Sequence, residues 1–334
     1  MIRFCTSCYF RETDDEVAQC AICTYSALIP ASQLSDIDIS HLSAYQSLRT
    51  LAPTNPKTYS EKIIRKMAFD RNPLLTTFAD KYRARSFVAE AVGEKYLSKI
   101  FDVAKSPDEI NWQSLPSEYV CKVNHGSGGM VAVWRGSTSE SALPDTVSGV
   151  DWSRHWIHPD NADPVRIKNL ARHWLSQNFT WRPNAAPEWA YQNIEPLVYA
   201  EELIGLGTGL SPIDYKFFVF NGITRLIQVR THEPDMSFSL LHFDRNWNHI
   251  DITLNDGSEV ANTKIVRDRP ENLEELLFVA EKLGESVDAV RVDLYSQEGR
   301  ITFGELTNYT CAGISFWTPY EFNFELGDWW QQNY

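Results

Sequence analysis

The sequence predicts an α+β protein with a small cysteine-rich module at its N-terminus. Two patterns alternate along the chain: apolar runs paired across short turns, which indicate antiparallel hairpins, and stretches with the spacing of amphipathic helices. Four of the six cysteines lie within the first 23 residues, in a segment that differs in composition from the rest. Hairpins interleaved with helices are typical of the α+β class.

Bulk composition narrows the possible functions. With 334 residues, 43% hydrophobic and 22% charged, the chain has a globular composition and is long enough for a sizeable core. No apolar run approaches the roughly 20 residues that span a bilayer, and the start "MIRFCTSCYF" lacks the features of a signal peptide. We therefore expect a cytoplasmic location. A net charge of −13 argues against non-specific binding to nucleic acid or anionic membrane, although a local basic pocket for phosphates remains compatible with it.

The N-terminal cysteines have the spacing C-x2-C-x11-C-x2-C, close to that of a zinc ribbon. They are Cys5, Cys8, Cys20 and Cys23. Disulfides are rare in the cytoplasm, and four thiolates in a tetrahedron suit Zn²⁺, although a rubredoxin-like iron site shares that geometry. We expect a structural Zn²⁺ that folds residues 1–30, a segment too small to build its own core. The module could dock on the rest of the chain, clamp a protein partner or bind RNA, and its acidic "ETDDE" counts against RNA.

The middle of the chain is predicted to alternate helices and strands. Thr58 and Glu61 form a capping box that begins a helix, the dipeptide at 72–73 interrupts it, and a second helical stretch begins near "DKYRARSFVAEAV". Strands are predicted for "EYVCKV" (118–123) and "MVAVW" (130–134), joined by the glycine-rich loop "NHGSGG". Asp163 and Pro164 mark the start of a further helix.

The C-terminal half is predicted to contain two hairpins around one helix. "PLVYAEELI" (196–204) reads as a strand, and two apolar runs meet at Asn221-Gly222 in a hairpin turn. A helix is predicted to begin at Asn272 and to end before Gly284. The hairpin "RVDLYSQEGRITFGELT" (291–307) follows it. The aromatic tail "FWTPYEFNFELGDWW" indicates core packing, with sugar stacking as a minority alternative.

The second hairpin contains two acidic residues at positions where Val or Thr would suit a strand better. If its turn is centred on Gly299, Asp293 lies opposite Glu305 and Arg291 opposite Thr307, all on one face. Opposed carboxylates about 4.5–5.5 Å apart repel each other and need a proton or a cation between them. Mg²⁺ suits two such oxygen ligands and completes its shell with phosphates. The alternative is a solvated strand face on which Arg291 bridges both acids.

The glycine-rich loop suggests a phosphate site. Lys122 lies in an apolar strand, where a lysine is costly unless it meets an anion. The glycines at 126, 128 and 129 allow the backbone to approach closely and to aim N–H groups at phosphate oxygens. The order differs from a Walker loop because the lysine precedes the glycines. An ordinary mobile turn is the alternative.

Two further phrases carry charge at informative places. "FADKYRARSF" contains Lys81 and two arginines, and the alternative there is an ordinary amphipathic helix with Asp80 as its cap. "YAEELIG" puts Glu201 and Glu202 at the end of an apolar strand, where a solvated strand end is the alternative.

The order of these phrases resembles the ATP-grasp superfamily, and more closely its TupA-like branch, named for teichuronopeptide biosynthesis. The resemblance spans roughly residues 53–327. It rests on an ordered set of phrases: "NPKTYSEKIIRKMAFDRNPLLTTFADKYRARSFV", "YVCKVNHGSGG", "EELI", "DYKFFVFNG", "VRVDLY" and "FGELT".

The resemblance implies an ATP-grasp fold in which two α+β subdomains clamp ATP. It implies a helical region at 31–80, a small lobe at 81–205 that carries the glycine flap and hinge strand, and a large lobe at 206–334 that carries the metal-binding hairpin. The implied nucleotide-binding residues are Lys81, Lys122, His125, Gly126, Ser127, Gly128, Gly129, Glu201, Glu202, Leu203 and Lys216, the last assigned to either the nucleotide or the acceptor side.

The resemblance also implies metal ligands and catalytic residues. Asp293 and Glu305 would hold Mg²⁺, and Arg291 would stabilise the transferring phosphoryl group together with Lys122. Many members have an asparagine two residues after the glutamate, whereas here that place is taken by Thr307, with Asn308 turned to the other face. A threonine hydroxyl is a poorer ligand, so the resemblance leaves open how well a second metal is held.

The implied activity is that of an ATP-dependent carboxylate–amine ligase. Phosphorylation turns a carboxylate into an acyl phosphate, which an amine then attacks. Arg230 and His232 in "VRTHEP" could bind the acceptor carboxylate or accept the proton of the amine, or could be surface residues at a strand end. The expected partners are a small-molecule, glycan or peptide carboxylate and an amine, with an amino acid favoured. A kinase with a hydroxyl acceptor and an inactive scaffold with a zinc binding module are the alternatives.

Overall fold

The computed structural model describes residues 3–12, 17–183, 185–205, 212–232, 238–255, 268–314 and 316–332. The N-terminal module is a three-stranded antiparallel sheet with the order β2-β1-β3. Its strands are β1 (Arg3–Cys5), β2 (Arg11–Glu12) and β3 (Leu28–Pro30). The four cysteines are buried in this module, and they belong to the same apolar cluster as the helices that follow and the C-terminal five-stranded sheet.

Four helices connect the module to the first large sheet. They are α1 (Asp36–Leu51), α2 (Tyr59–Phe69), α3 (Leu74–Ala79) and α4 (Ala84–Ala91). The capping box of Thr58 and Glu61 at the start of α2 is confirmed. A second capping box, formed by Ser35 and Asp38, begins α1, which lies within the helical region expected at 31–80. Before α4, Asp80 accepts hydrogen bonds from the amides of Tyr82 and Arg83, each at 3.0 Å, and so caps the turn.

A five-stranded sheet with the order β4-β8-β5-β6-β7 forms the middle of the chain. Its strands and covering helix are β4 (Ile100–Ala104), β5 (Tyr119–Val123), β6 (Met130–Val133), β7 (Arg154–Ile157), α5 (Pro164–Leu175) and β8 (Val198–Glu201). The start of α5 at Asp163 and Pro164 is confirmed. Cys121 and Val123 of β5 pack with Ile167 and Trp174 of α5 on one face, so alternation turns Val120 and Lys122 to the other face.

A second five-stranded sheet has the order β11-β10-β9-β13-β14, and all its pairs are antiparallel. The remaining elements are β9 (Ile213–Phe220), β10 (Ile223–His232), β11 (Phe238–Phe243), β12 (Thr253–Asn255), α6 (Leu273–Gly284), β13 (Ala289–Gln297), β14 (Arg300–Thr307), β15 (Phe316–Thr318) and α7 (Phe322–Trp329). The hairpin at Asn221-Gly222 is confirmed, with both residues at positive φ. Val219 packs against α6, so Lys216 faces away from that helix.

The aromatic tail contributes to the core, as predicted. Trp317 and Trp330 are fully buried, and Phe322 packs edge-on against Trp317. Tyr320 and Phe324 remain exposed. Among the described residues, no helix is both long and apolar enough to cross a bilayer.

Two element boundaries differ from the prediction. Gly284 is the last residue of α6 rather than the residue after it, and a Cβ atom there would collide with Val219 of β9. This glycine is needed for close packing of helix on sheet. The strand predicted at 196–204 is confined to Val198–Glu201, so Glu202 and Leu203 lie just beyond its end.

The pairing of the 291–307 hairpin is as predicted, but its cause differs. Asp293 pairs with Glu305 and Arg291 with Thr307. The turn has only two residues, Glu298 and Gly299, both at positive φ, which by itself would pair Asp293 with Gly304. A β-bulge at Gly304 adds one residue to β14 and brings Glu305 opposite Asp293.

Candidate active site

Arg291 bridges the two carboxylates of the hairpin. Its guanidinium donates to Asp293 at 2.7 and 2.8 Å, to Glu305 Oε1 at 3.0 Å and to Thr307 Oγ1 at 3.1 Å. This is the bridge of the alternative interpretation, but the face is not solvated, since the Asp293 side chain is only 3% exposed. Glu305 is 37% exposed, and no described residue donates a hydrogen bond to its second oxygen. Glu305 therefore keeps one carboxylate oxygen for a ligand.

Lys216 adds a second cation to the same face. Its Nζ lies 2.6 Å from Asp293 Oδ2 and 2.7 Å from Asp214 Oδ2. Burial alone would lower the pKa of Lys216, but these two carboxylates outweigh it and raise the pKa. Burial would likewise raise the pKa of Glu305, yet Lys81 and Arg291 outweigh it and lower the value to about 2. Arg291 and Lys216 thus occupy the place at which a bound cation would neutralise Asp293 and Glu305.

On the middle sheet, Lys122 lies beside an apolar patch. It forms an ion pair with Glu201, and its ammonium lies 5.5 Å from the centre of the Tyr199 ring. Glu201 also accepts from Ser98 Oγ at 2.8 Å and from Arg85 at 3.4 Å, so its buried charge is well compensated. The patch, which we call the apolar patch below, consists of Val120, Met130, Ala132, Trp134 and Leu203.

The glycine-rich loop is packed rather than exposed. Only Ser127 is exposed, and a Cβ atom at Gly126 or Gly128 would collide with Trp152. Asn124 fixes the base of the loop: its side chain donates to Asp80 at 2.9 Å and to the Glu195 carbonyl at 3.0 Å. Glycine is needed at 126 and 128 because the loop passes directly beneath the Trp152 ring and backbone.

The loop presents donors beside Lys81. Within the described ranges, the amides of residues 126–128 donate no hydrogen bond to the protein, which leaves them for a ligand. Lys81 donates to the Gly126 carbonyl, and its own amide donates to the Asn124 carbonyl at 3.1 Å. Burial lowers the pKa of Lys81 to about 8, with Glu305 opposing the change and Lys122 adding to it.

The two large sheets meet at this place. Lys81 and Glu305 interact electrostatically from opposite sides, and Arg154 of β7 interacts with both. At the edge, Arg300 of β14 forms a two-pronged ion pair with Glu202 at 2.7 and 2.9 Å. Cations and loop amides from the middle sheet therefore face the carboxylates of the second sheet.

Two predicted residues, His125 and Glu202, have partners outside this cluster, and two others, Arg230 and His232, are placed by their strand. The His125 side chain contacts the Trp174 carbonyl at 3.1 Å, and burial lowers its pKa to about 4, so it is neutral and turned toward the core. Glu202 is engaged by Arg300 and by the Lys99 amide at 3.1 Å. Arg230 shares the face of Lys216 and pairs in register with Asp214. His232 ends β10, and its side chain lies outside what the structure describes.

Sequence reasoning missed other residues of the site. Arg154 approaches Ser127 Oγ at 3.5 Å, and Trp152 covers the glycines, but Trp152 lies in an irregular segment and Arg154 begins a strand of only four residues, too short for periodicity to indicate it. Asn308 donates to the Leu75 carbonyl at 2.7 Å, on the side away from the cluster, as the alternation of β14 predicts. Burial raises the pKa of Glu188 to about 7, and this residue interacts with Lys81. No sequence pattern around Glu188 indicates that it belongs to the site.

The four N-terminal cysteines form a compact cluster. Their sulfur atoms all lie within 4.8 Å of one another, and all four residues are buried without a disulfide. The Cys5–Cys23 and Cys8–Cys20 sulfur distances are 3.5 and 3.6 Å. A tetrahedral Zn²⁺ with bonds of about 2.3 Å would separate its sulfurs by about 3.8 Å, so the residues fit that ion.

Comparison with solved structures gives distant likenesses. A D-alanine–D-alanine ligase from Bacillus anthracis is 14% identical, over 70% of this chain and 59% of that one, with a TM-score of 0.35. The ATP-grasp ligase PsnB, in complex with a phosphomimetic variant of its minimal precursor, Mg and ADP, is 13% identical over 90% and 74%, with a TM-score of 0.39. The macrocyclase MdnC from Microcystis aeruginosa MRC, bound to its precursor peptide MdnA, is 8% identical over 84% and 66%, with a TM-score of 0.34.

Identities and TM-scores this low carry no information about the substrate of this chain. The chain spans about six-tenths of the length of the Bacillus anthracis ligase. A search of curated proteins found no match.

A sheet that carries Lys122 and a glycine-rich loop, with Lys81 beside it and a carboxylate-bearing hairpin opposite, is the arrangement of the ATP-grasp class. The model of the TupA-like ATP-grasp family matches residues 61–331, which is most of the chain. The chain belongs to the TupA-like ATP-grasp family, and both the resemblance and the predicted α+β ATP-grasp fold are confirmed.

Proposed function

We propose that the protein is an ATP-dependent carboxylate–amine ligase that forms an amide through an acyl phosphate. One observation carries the proposal: Lys81, Arg154, Lys216 and Arg291 surround Glu305, and Lys122 acts on Lys81, beside loop amides that donate no hydrogen bond within the described residues. Such a concentration of donors in one cleft is matched to a polyphosphate.

The apolar patch supports a site for the base. It lies on the face of β5 that also carries Lys122, so a flat ring on the patch would direct its phosphates toward that lysine. In this proposal Glu201, Glu202 and Leu203 border the base and ribose. The remaining nucleotide contacts come from the backbone of residues 125–129 and from Lys216.

Asp293 and Glu305 are proposed to hold Mg²⁺, with Thr307 as a weak third oxygen ligand. When bound, the ion neutralises charge on the phosphates and orients them. For Asp293 to bind the ion, Arg291 and Lys216 have to give up part of their contact with it. Arg291 then turns to the phosphoryl group, where its charge is needed during transfer.

The chemistry balances without a redox partner. An oxygen of the substrate carboxylate attacks the γ-phosphorus, and the bond to the β-phosphate oxygen breaks, releasing ADP. The amine nitrogen then attacks the acyl carbon, the C–O bond breaks, and phosphate leaves while the nitrogen loses a proton. Lys122 and Arg291 stabilise the phosphoryl oxygens, and Arg230 is proposed to bind a carboxylate of the acceptor.

The substrates are proposed by class. We expect a carboxylate on a cell-surface glycan or peptide precursor, or on a specialised metabolite, joined to an amino acid amine in the cytoplasm. In this proposal the chain divides at residues 30, 80 and 205, and its N-terminal module binds one Zn²⁺.

Trapping the acyl phosphate tests the proposal. The purified protein is incubated with Mg·ATP, hydroxylamine and a panel of amino acids, short peptides and uronic acids, and both hydroxamate and phosphate are measured. The ligase proposal predicts hydroxamate with an equal amount of ADP, and none with the Asp293→Asn variant. A stable phosphorylated product in place of hydroxamate would identify a kinase, and ADP formation that no carboxylate stimulates would contradict ligase chemistry.

A further inference from the structure

The four-cysteine module holds both ends of the segment 179–193, which we call the bridging segment. At its first end, the Trp181 ring stacks on His41 of α1 with centroids 3.5 Å apart and meets Tyr9 edge-on at 6.3 Å. Tyr9 directly follows Cys8 and stacks on Tyr45 of α1 at 5.7 Å. The module and α1 therefore both pack against this end of the bridging segment.

At its second end, the bridging segment hydrogen-bonds the knuckle between Cys5 and Cys8. The Trp189 indole N–H donates to the Ser7 carbonyl at 2.8 Å, and the Gln192 amide donates to the Thr6 carbonyl at 2.8 Å. Asn193 donates to Ser7 Oγ at 2.7 Å. Trp189 is fully buried, so its indole N–H depends on the knuckle for an acceptor.

Two rings of the bridging segment, one near each end, connect it to the cover of the glycine-rich loop. Tyr191 packs on Phe179 with ring centroids 4.6 Å apart, and Phe179 meets the Trp152 ring edge-on at 5.2 Å. Trp152 is the residue that lies over Gly126 and Gly128. Contacts thus run without a gap from the cysteine knuckle to the loop proposed to hold the phosphates.

A second connection reaches the base of the same loop. Beyond the end of the bridging segment, the carbonyl of Glu195 accepts from the Asn124 side chain at 3.0 Å, and the amide of Leu197 donates to Asn124 Oδ1 at 2.7 Å. Asn124 begins the loop, so the residues between the bridging segment and β8 also fix the loop's base.

We propose that the Zn²⁺-filled module is a positioning device for the glycine-rich loop, acting through the bridging segment and Trp152. The proposal rests on the zinc binding and the nucleotide site proposed above. A knuckle this small depends on its metal for a fixed backbone, and without it the carbonyls of Thr6 and Ser7 lose the positions that Trp189 and Gln192 require. The effect on the loop is a loss of order, not of any direct zinc contact.

Hydrogen exchange with and without zinc tests this proposal. The full-length protein, with its metal content measured first, is treated with a zinc-selective chelator at constant Mg²⁺. We expect faster exchange in peptides covering 179–195 and 124–129, unchanged exchange in α6, and at least tenfold weaker binding of Mg·AMPPNP. Adding Zn²⁺ back restores all three values.

A variant that keeps its zinc separates positioning from general unfolding. Gln192→Met with Asn193→Leu removes two of the three side-chain donors to the knuckle with little change in volume, and Ile22→Ser, at a side chain 48% exposed on the module, is the matched control. We expect the double variant to hold one zinc, exchange faster at 124–129 and bind the nucleotide more weakly, while the control matches the wild type.

Three outcomes would overturn the proposal: a protein that binds no zinc, zinc removal that affects residues 3–30 alone, or a double variant with normal exchange at 124–129. If exchange changes as expected but Mg·AMPPNP binds to no form of the protein, the coupling stands and the proposed nucleotide site fails.

Discussion

Replacing Lys81 with methionine is expected to stabilise the folded protein at neutral pH while removing nucleotide binding. Burial lowers the pKa of Lys81 to about 8 from an ordinary value of 10.5. Keeping the side chain protonated at pH 7 therefore costs roughly 3 kcal/mol relative to the unfolded chain. The substitution removes that cost but leaves the Gly126 carbonyl without its donor, a loss of about 1–2 kcal/mol.

The sign of the pH dependence follows from the lowered pKa. Between about pH 8 and 10.5 the unfolded chain binds more protons at Lys81 than the folded protein, so this residue adds stability as the pH rises through that window. The Lys81→Met variant should be more stable than the wild type by about 1–2 kcal/mol at pH 7, and the gain should vanish by pH 10. Urea unfolding at both pH values measures the difference, with Lys95→Met, at an exposed lysine, as the control.

Nucleotide binding provides the second half of this test. Phosphates beside Lys81 would raise its pKa again, so binding above pH 8 takes up a proton, and affinity falls by as much as about tenfold per pH unit. Calorimetry of AMPPNP binding in buffers of different ionisation enthalpy counts that proton, and Lys81→Arg should lose the dependence because arginine stays charged. A Lys81→Met protein that is less stable than wild type at pH 7, or binding without proton uptake at pH 9, would refute the reasoning.

Three further predictions concern the loop, the bulge and the contact between the sheets. Gly126→Ala should weaken Mg·AMPPNP binding at least tenfold and lower stability by about 1–3 kcal/mol, because the methyl group collides with Trp152, and a second change of Trp152→Leu should restore part of both losses in titration and urea unfolding. Gly304→Val should lower the free energy of unfolding by about 1–3 kcal/mol and displace Glu305, because its Cβ would lie 3.0 Å from the Asp293 carbonyl. The control, Gly299→Asn, lies in open space at the turn and should leave nucleotide binding unchanged. Equal effects of the two substitutions would contradict the role of the bulge. Arg300→Ala should change stability by no more than about 1 kcal/mol, since Arg300 is half exposed, and a double-mutant cycle with Glu202→Ala that returns more than about 2 kcal/mol would show that this ion pair holds the sheets together.

The sequence predicts the elements of the site better than their surroundings. Alternation along β13 and β14 is a local property, so the shared face of Arg291, Asp293, Glu305 and Thr307 follows from spacing alone. The bulge at Gly304 was not foreseen, since a glycine in a strand is compatible with several distortions. The predicted pairing is nevertheless correct, because a two-residue turn followed by a one-residue bulge gives the same pairs as a turn centred on Gly299.

What depends on distant packing was missed. A mobile turn was the alternative for residues 124–129, whereas the structure places them under Trp152, more than 20 residues away in an irregular segment. The docking of the cysteine module also depends on contacts such as Trp189 to Ser7, 182 residues apart, which no local pattern encodes. Local sequence predicts Gly284 as a helix terminator because the need for a close approach to Val219 appears only in the folded protein.

The most direct test of the account is the dependence of nucleotide binding on Mg²⁺ at Glu305. Glu305→Gln keeps the shape of the side chain, and Arg291 and Lys216 both keep Asp293 as their partner in this variant. Calorimetric titration with AMPPNP, in Mg²⁺ and in EDTA, should show that Mg²⁺ strengthens binding to the wild type and fails to do so in Glu305→Gln. Equal Mg²⁺ enhancement in both proteins would contradict the account.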